Sequence, residues 1–308
     1  MTIEELNAIV GSGDIDEFIR VCEARQVKRL SQIADGIAAM PGRRLVLLAG
    51  GSSAGKTTTA KRLCTQLRVN GTTAVHMSTD DYFVGDSRNP RDENGEFDYE
   101  TIECVDMPRL AADVNALLDG RTISPRRFDF TKHEGYDSDE ALSLPRGGCL
   151  VIEGIHALNP RLTSGIDDGC KARVYIEPTT QPVVFAHTHL PQRDARLLRR
   201  IVRDNQYRKL GPGDTMRMWP KVLAGEGKWI EPFCGNADFT FDSGLEYELA
   251  VLKPFAGGLL HRHFHNNPED FKAERLLNLL SAVRETDPTK VPGDSILRET
   301  IGGSQLEY

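Results

Sequence analysis

Apolar residues in this chain gather into short unbroken runs separated by longer stretches in which they recur every three or four positions. The runs predict strands near 44–49, 73–77, 149–153, 172–177 and 237–241. Such runs suit strands buried on both faces, and their alternation with helical spacing predicts a parallel sheet flanked by helices. After the first run, Ala60, Leu63, Cys64 and Leu67 recur at helical spacing, with Lys61, Arg62 and Arg68 between them. Two helices are expected upstream, at 2–10 and 15–40, joined at Gly11-Ser12-Gly13-Asp14 and closed by Pro41-Gly42. Residues 84–148 interrupt the alternation with polar sequence and turn signals at Asn89-Pro90, Asn94-Gly95 and Pro145-Arg146-Gly147-Gly148. An insertion of that length between strands usually serves a site. An amphipathic helix near 268–284 precedes a tail rich in Pro, Gly and Ser. The expected division is a helical segment 1–41, a main domain 42–284 carrying the insertion 84–148, and a tail 285–308.

The first strand runs directly into Gly50-Gly51-Ser52-Ser53-Ala54-Gly55-Lys56-Thr57-Thr58, a G-x-x-x-x-G-K-T pattern that then opens a helix. Glycines let consecutive backbone N–H groups curl round phosphates, and the helix beginning at Lys56 adds the positive end of its dipole. Lys56 is placed to reach the β- and γ-phosphates of ATP, and Thr57 to ligate Mg²⁺. The fold class expected is therefore an α/β P-loop NTPase. A second Mg²⁺ ligand is supplied by Glu153, the first charge after the apolar run Cys149-Leu150-Val151-Ile152. Gly154 behind it permits close backbone approach. The strand near 73–77 ends in Asp80-Asp81-Tyr82-Phe83. An aspartate there can accept the proton of an attacking hydroxyl, while Tyr82 and Phe83 wall in a flat or sugar-like substrate. Further on, Arg196, Arg199, Arg200 and Arg203 recur at i, i+3, i+4 and i+7, opposite Leu197, Leu198, Ile201 and Val202. An all-arginine stripe suits forked contacts to phosphate, as a lid over ATP; the alternative is a solvated face pairing with Asp194 and Asp204.

Charge and cysteines narrow the class. Lys+Arg 38 against Asp+Glu 45 gives a net charge of −7, which argues against sequence-independent nucleic-acid binding. The six cysteines are scattered without a C-x-x-C pair and read as reduced thiols. No stretch of about 18 apolar residues is present, so no membrane association and a cytoplasmic location are expected. His261, His263 and His265 alternate, and His187 and His189 flank Thr188, but no fuller ligand cluster supports a metal site made from them.

Taken in order, these motifs make the chain resemble the uridine kinase and phosphoribulokinase branch of P-loop kinases, closest to bacterial uridine kinase-like nucleoside kinases. The resemblance runs from about Arg43 to Pro254 and includes the P-loop, Ser78-Thr79-Asp80-Asp81-Tyr82-Phe83, Pro90-Arg91-Asp92-Glu93-Asn94-Gly95, Phe128-Asp129-Phe130, Val151-Ile152-Glu153-Gly154-Ile155-His156, the arginine helix, Arg217-Met218-Trp219-Pro220 and 246–254. It implies a nucleoside/NMP kinase-like five-stranded sheet with a lid at 187–210. It also implies that Asp80 is the general base for a nucleoside 5′-hydroxyl, that the four arginines belong to the lid, and that Glu100 holds ribose hydroxyls. Relatives of this type read the base with Tyr-Asp-Phe-x-x-His; here the segment begins at Phe128 and ends at His133, and Phe83 stands where tyrosine is usual. Loss of those hydroxyls bears on which base is preferred.

The reading is an ATP- and Mg²⁺-dependent kinase of a uridine- or cytidine-type nucleoside. Catalysis is assigned to Asp80, Lys56, Arg196 and Arg199. ATP contacts are assigned to residues 50–58 with Arg196 and Arg200, and substrate contacts to Asp80, Tyr82, Phe83, Glu100, Phe128, His133 and Arg203. One alternative keeps the chemistry and changes the alcohol to a sugar phosphate, a polyol or a pantothenate-like metabolite. Another class, a nucleotide-binding regulatory module, would use Asp92-Glu93-Asn94-Gly95 as a D-x-x-G switch, but no N-K-x-D motif follows. Oligomeric state is left open.

Overall fold

A computed structural model describes residues 1–93, 95–129, 132–185 and 188–307. Asn94 of the expected turn, Phe130 and Thr131 of the base-reading segment, and His187 at the start of the expected lid lie outside the described residues.

The chain opens with α1 (Ile3–Ser12) and α2 (Ile15–Ala38). Thr2 and Glu5 exchange hydrogen bonds at the start of α1, satisfying two otherwise orphaned N–H groups. β1 (Leu45–Gly50), α3 (Lys56–Val69) and β2 (Ala74–Ser78) follow. The insertion contributes α4 (Met107–Leu118) and an antiparallel pair, β3 (Arg126–Asp129) with β4 (Glu134–Asp137). Beyond it come β5 (Cys149–Glu153), β6 (Lys171–Glu177), a small pair β7 (Val183–Phe185) and β8 (Thr188–His189), then α5 (Gln192–Arg208) and α6 (Pro212–Trp229). β9 (Phe239–Asp242), α7 (Glu248–Asn266), α8 (Phe271–Ser281) and α9 (Arg298–Ile301) complete the order.

Five parallel strands form the main sheet in the order β2-β5-β1-β6-β9. Because β1 lies between strands reached by crossovers in opposite directions, its C-terminal end opens into a crevice, where ligands of such sheets bind. One sheet face packs Val46, Leu48, Val151 and Val174 against Leu30, Ile33 and Ile37 of α2 and Leu63 and Leu67 of α3. The other packs Leu45, Leu47 and Ile152 against Leu110, Val114 and Leu117 of α4. A third apolar body is mostly helical: α1 and the first half of α2, with Ile15, Ile19 and Cys22, join residues of α5, α6, α7 and α8.

His261, His263 and His265 lie in α7, a helix, so alternate residues do not share a face. Instead, His263 Nε2 lies 2.9 Å from Asp270. Among the described residues no cluster of His, Cys, Asp or Glu could hold a metal. In the tail from 285, Ile296, Leu297 and Ile301 are buried, and Ser295 meets the buried hydroxyl of Tyr247. No helix among the described residues is long and apolar enough to cross a membrane.

Candidate active site

The loop after β1 is shaped by its glycines. Gly55 has φ +87°, a conformation L side chains rarely adopt, and it turns the chain into α3. A side chain at Gly50 would collide with the Ile176 carbonyl on the neighbouring strand. Lys56 Nζ donates to the Gly51 carbonyl at 3.2 Å. The pairing of Leu48 with Glu153 brings the end of β5 level with the loop. Thr57 Oγ1 accordingly donates to Glu153 Oε1 at 3.1 Å. Burial, reinforced by Asp80, pushes the Glu153 carboxyl pKa up, and Lys56 opposes this. A hydroxyl and a buried carboxylate that gains from a nearby positive charge form a donor set suited to Mg²⁺. Gly154 has the close contact expected of it, since a side chain there would collide with Thr79.

Asp80 lies in a 3-10 turn, Thr79–Tyr82, at the C-terminal end of β2. Asp81 Oδ2 accepts from Arg127 of β3 at 2.8 Å, tying the insertion to this turn. Phe83 and Phe128 meet edge to face with centroids 5.5 Å apart, and Tyr99 lies 6.2 Å from Phe83. The Tyr99 hydroxyl donates to Asp86 at 2.7 Å and lies 2.9 Å from His133 Nδ1. Phe83, Phe128 and His133 thus come together, with Tyr99 and Asp86 as unforeseen members. Glu100 follows Tyr99 and packs beneath α6, where a side chain on Gly225 would press on its Cβ at 2.5 Å. Burial pushes its pKa up to about 7, with Arg200 opposing and Glu226 and Asp98 adding.

Tyr82 departs from its expected role. It is 1% exposed, and its hydroxyl donates to Asp113 of α4 at 2.9 Å, so it faces the core rather than a substrate. The helical geometry sends Tyr82 and Phe83 to different sides of the turn, and the buried Asp113 satisfies the hydroxyl.

The arginine helix is enclosed rather than free on one face. Arg196 makes two hydrogen bonds of 2.7 Å to Glu226 of α6, and its Nη1 also reaches the Ser52 carbonyl at 3.3 Å. Arg200 Nη1 donates to Ser52 Oγ at 2.7 Å. Both guanidinium groups lie over the Trp219 ring, 5.4 and 6.0 Å from its centroid. Arg199, assigned to catalysis, is 1% exposed and pairs with the equally buried Glu248 and with the Ser243 carbonyl at 2.9 Å. Its Nη1 also donates to the Ser53 carbonyl at 3.4 Å, so it ties both the loop and α7 to α5. Arg203 pairs with the fully buried Asp204, which also receives Arg200 and Arg208. Of the solvated alternative only the Asp204 pairing is present; Asp194 pairs with Arg275 of α8.

A cavity of about 360 Å³ adjoins the loop, lined by Gly51, Tyr175, Glu177, Arg196, Glu226, Ile230 and Cys234 among others. Glu226 carried no sequence signal, since an isolated carboxylate in Gly225-Glu226-Gly227 fits no motif; Glu248 lay in the 246–254 stretch of the resemblance but had no role assigned. Glu299 was equally hidden, yet its carboxylate accepts from Thr58 Oγ1 at 2.8 Å and from the Thr58 N–H at 3.4 Å.

The glycine loop at the end of β1, the sheet order and the Thr57–Glu153 pair define a P-loop kinase fold. A family model described as the Phosphoribulokinase / Uridine kinase family matches residues 45–250, and the chain belongs to that family. The uridine kinase of Lactobacillus helveticus is 26% identical over 208 residues, covering 67% of this chain and 90% of that protein. The uridine kinase of Deinococcus deserti is 28% identical over 205 residues, covering 66% and 89%. Among solved structures, one of a possible uridine kinase from Bacillus stearothermophilus is 19% identical with a TM-score of 0.48, covering 71% of this chain and all of that one.

Proposed function

We propose that this kinase transfers the γ-phosphoryl group of ATP to the 5′-hydroxyl of a nucleoside of the uridine or cytidine type. The observation that carries the choice of substrate is the cluster of Phe83, Phe128, Tyr99 and His133 beside the Asp80 turn. Phe83 and Phe128 are buried and form its floor, while the partly exposed Tyr99 and His133 offer a base a ring face and a hydrogen-bonding edge. Its polar edge comes from Tyr99 and His133, in a chain that has phenylalanine at 83 and 128. The uridine kinases similar over most of the family region agree with this reading.

In this reading the loop N–H groups and Lys56 hold the triphosphate, and Asp80 accepts the proton of the 5′-hydroxyl as it attacks phosphorus. Glu100 receives hydrogen bonds from the ribose hydroxyls, and Arg196 and Arg200 face the charge that builds on the transferring group. Thr57 and Glu153 would hold Mg²⁺, which when bound neutralises charge on the phosphate oxygens.

The test is ADP release from ATP and Mg²⁺ with uridine, cytidine, purine nucleosides, ribulose 5-phosphate, pantothenate and inositol offered singly. Turnover with pyrimidine nucleosides is expected. Turnover confined to a non-nucleoside alcohol would keep the chemistry and overturn the substrate.

A further inference from the structure

We propose that the Glu226 carboxylate is an internal occupant of the phosphate cradle, which a nucleotide must displace before Arg196 can engage it. The inference rests on the reading of the loop as a nucleoside triphosphate site. Glu226 Oε1 accepts from the Ser52 N–H at 3.0 Å and from Arg196 Nη1 at 2.7 Å, while Oε2 accepts from Arg196 Nη2 at 2.7 Å. A loop N–H and a guanidinium fork are the donors that a phosphate group takes. The contact lies directly on the loop, since a side chain added at Gly51 would collide with Arg196 and come 2.7 Å from Glu226 Oε1. Both partners are buried, with 8% of each side chain exposed, so water screens the pair weakly. At the other end of the loop Glu299 covers the Thr58 N–H in a similar way. The loop therefore has a protein carboxylate on a backbone N–H near each end.

A second anion cannot share these donors without strong repulsion in a buried setting. Glu226 has somewhere to go. It lines the 360 Å³ cavity beside the loop, and Gly225 and Gly227 on either side of it loosen that turn of α6. Movement of the turn reaches the second substrate's side, because Gly225 packs on Glu100 and Lys221 of the same helix donates to Asp92 at 2.7 Å and to the Phe97 carbonyl at 3.0 Å. Exchange of Glu226 for a phosphate would thus be felt in the insertion.

The test is calorimetric affinity of the full-length wild-type protein, Glu226→Gln and Glu226→Asp for a non-hydrolysable ATP analogue with Mg²⁺, with folding checked by circular dichroism. Removing the competing charge is expected to tighten binding about 5- to 30-fold in Glu226→Gln, because the fraction of competent cradle rises. Glu226→Asp, shorter by one methylene, is expected to fall between the two. Unchanged or weaker binding in either folded variant would overturn the proposal and make Glu226 a counter-ion that holds Arg196 in place. If neither the wild type nor Glu226→Gln binds the analogue, the nucleotide reading fails along with it.

Discussion

Asp80 and Glu100 carry different predictions. Asp80→Asn keeps the shape of the turn and removes the carboxylate proposed as proton acceptor. Turnover is expected to fall about 10²- to 10⁴-fold while ATP affinity, measured by equilibrium titration, stays nearly constant. Glu100 is held neutral by burial up to about pH 7, so its carboxylate forms as pH rises through that point. If that carboxylate holds ribose hydroxyls, KM for the nucleoside should drop about tenfold between roughly pH 6 and 8. A Glu100→Gln variant should show a high, flat profile over the same range. The sign for stability is the reverse. Between 4.5 and about 7 the folded chain keeps a proton on Glu100 that the unfolded chain releases, so this group makes the fold less stable as pH rises across that window. Denaturant midpoints of wild type and Glu100→Gln, compared at the two ends of the window, would measure it. Asp80 could be picked out from the sequence because it stands at a strand end before an aromatic pair, whereas Glu100 came only through the family resemblance. Glu226 and Glu299 could not be picked out, and Glu248, though within the 246–254 stretch of the resemblance, had no role assigned; the role of each comes from the arginine or threonine it meets across the fold.

Among the elements, β1 and β5 were legible because a strand buried on both faces favours an unbroken apolar run, and the edge strands β2 and β9 because their apolar residues still gather in short stretches despite being partly exposed. α4, α6 and α7 were not. α4 lies inside a polar insertion, and α6 and α7 carry Pro220 and Pro254 within the helix, which blurs the helical pattern. α5 was read as a helix with a phosphate-facing stripe, yet α6, α7 and α9 enclose it, so its arginines divide between anchoring and the loop. Arg199 and Arg200 are adjacent in sequence and have different partners for that reason. Tyr82 illustrates the same point in the turn after β2. Tyr82→Phe removes only its bond to Asp113, which Arg109 still holds, and should lower stability by about 1–2 kcal/mol in chemical denaturation without changing kcat or KM. Gly154→Ala should be more damaging than its size suggests, because the new methyl group has no room beside Thr79.

For the molecule as a whole, the family region 45–250 does not account for the full architecture. α1 and α2 precede it, α8 and α9 follow it, and all four pack on the elements that build the site. Leu6, Ile15 and Ile19 share one apolar body with Leu197, Leu198 and Ile201 of the arginine helix. Removing residues 1–41 should therefore expose a continuous apolar face of α5 and α7. Loss of cooperative thermal unfolding, with aggregation on gel filtration, is the expected outcome. The two N-terminal helices and the turns bounding them were visible in the sequence, but not that the same helix, α2, serves both the sheet and the helical body. The contact between Glu299 and Thr58 has a further consequence for how the protein is made. The loop emerges early in synthesis, but one of its partners follows 241 residues later. A nascent chain can close the sheet around β1 well before that point, yet its nucleotide site acquires this contact only when residue 299 has left the ribosome.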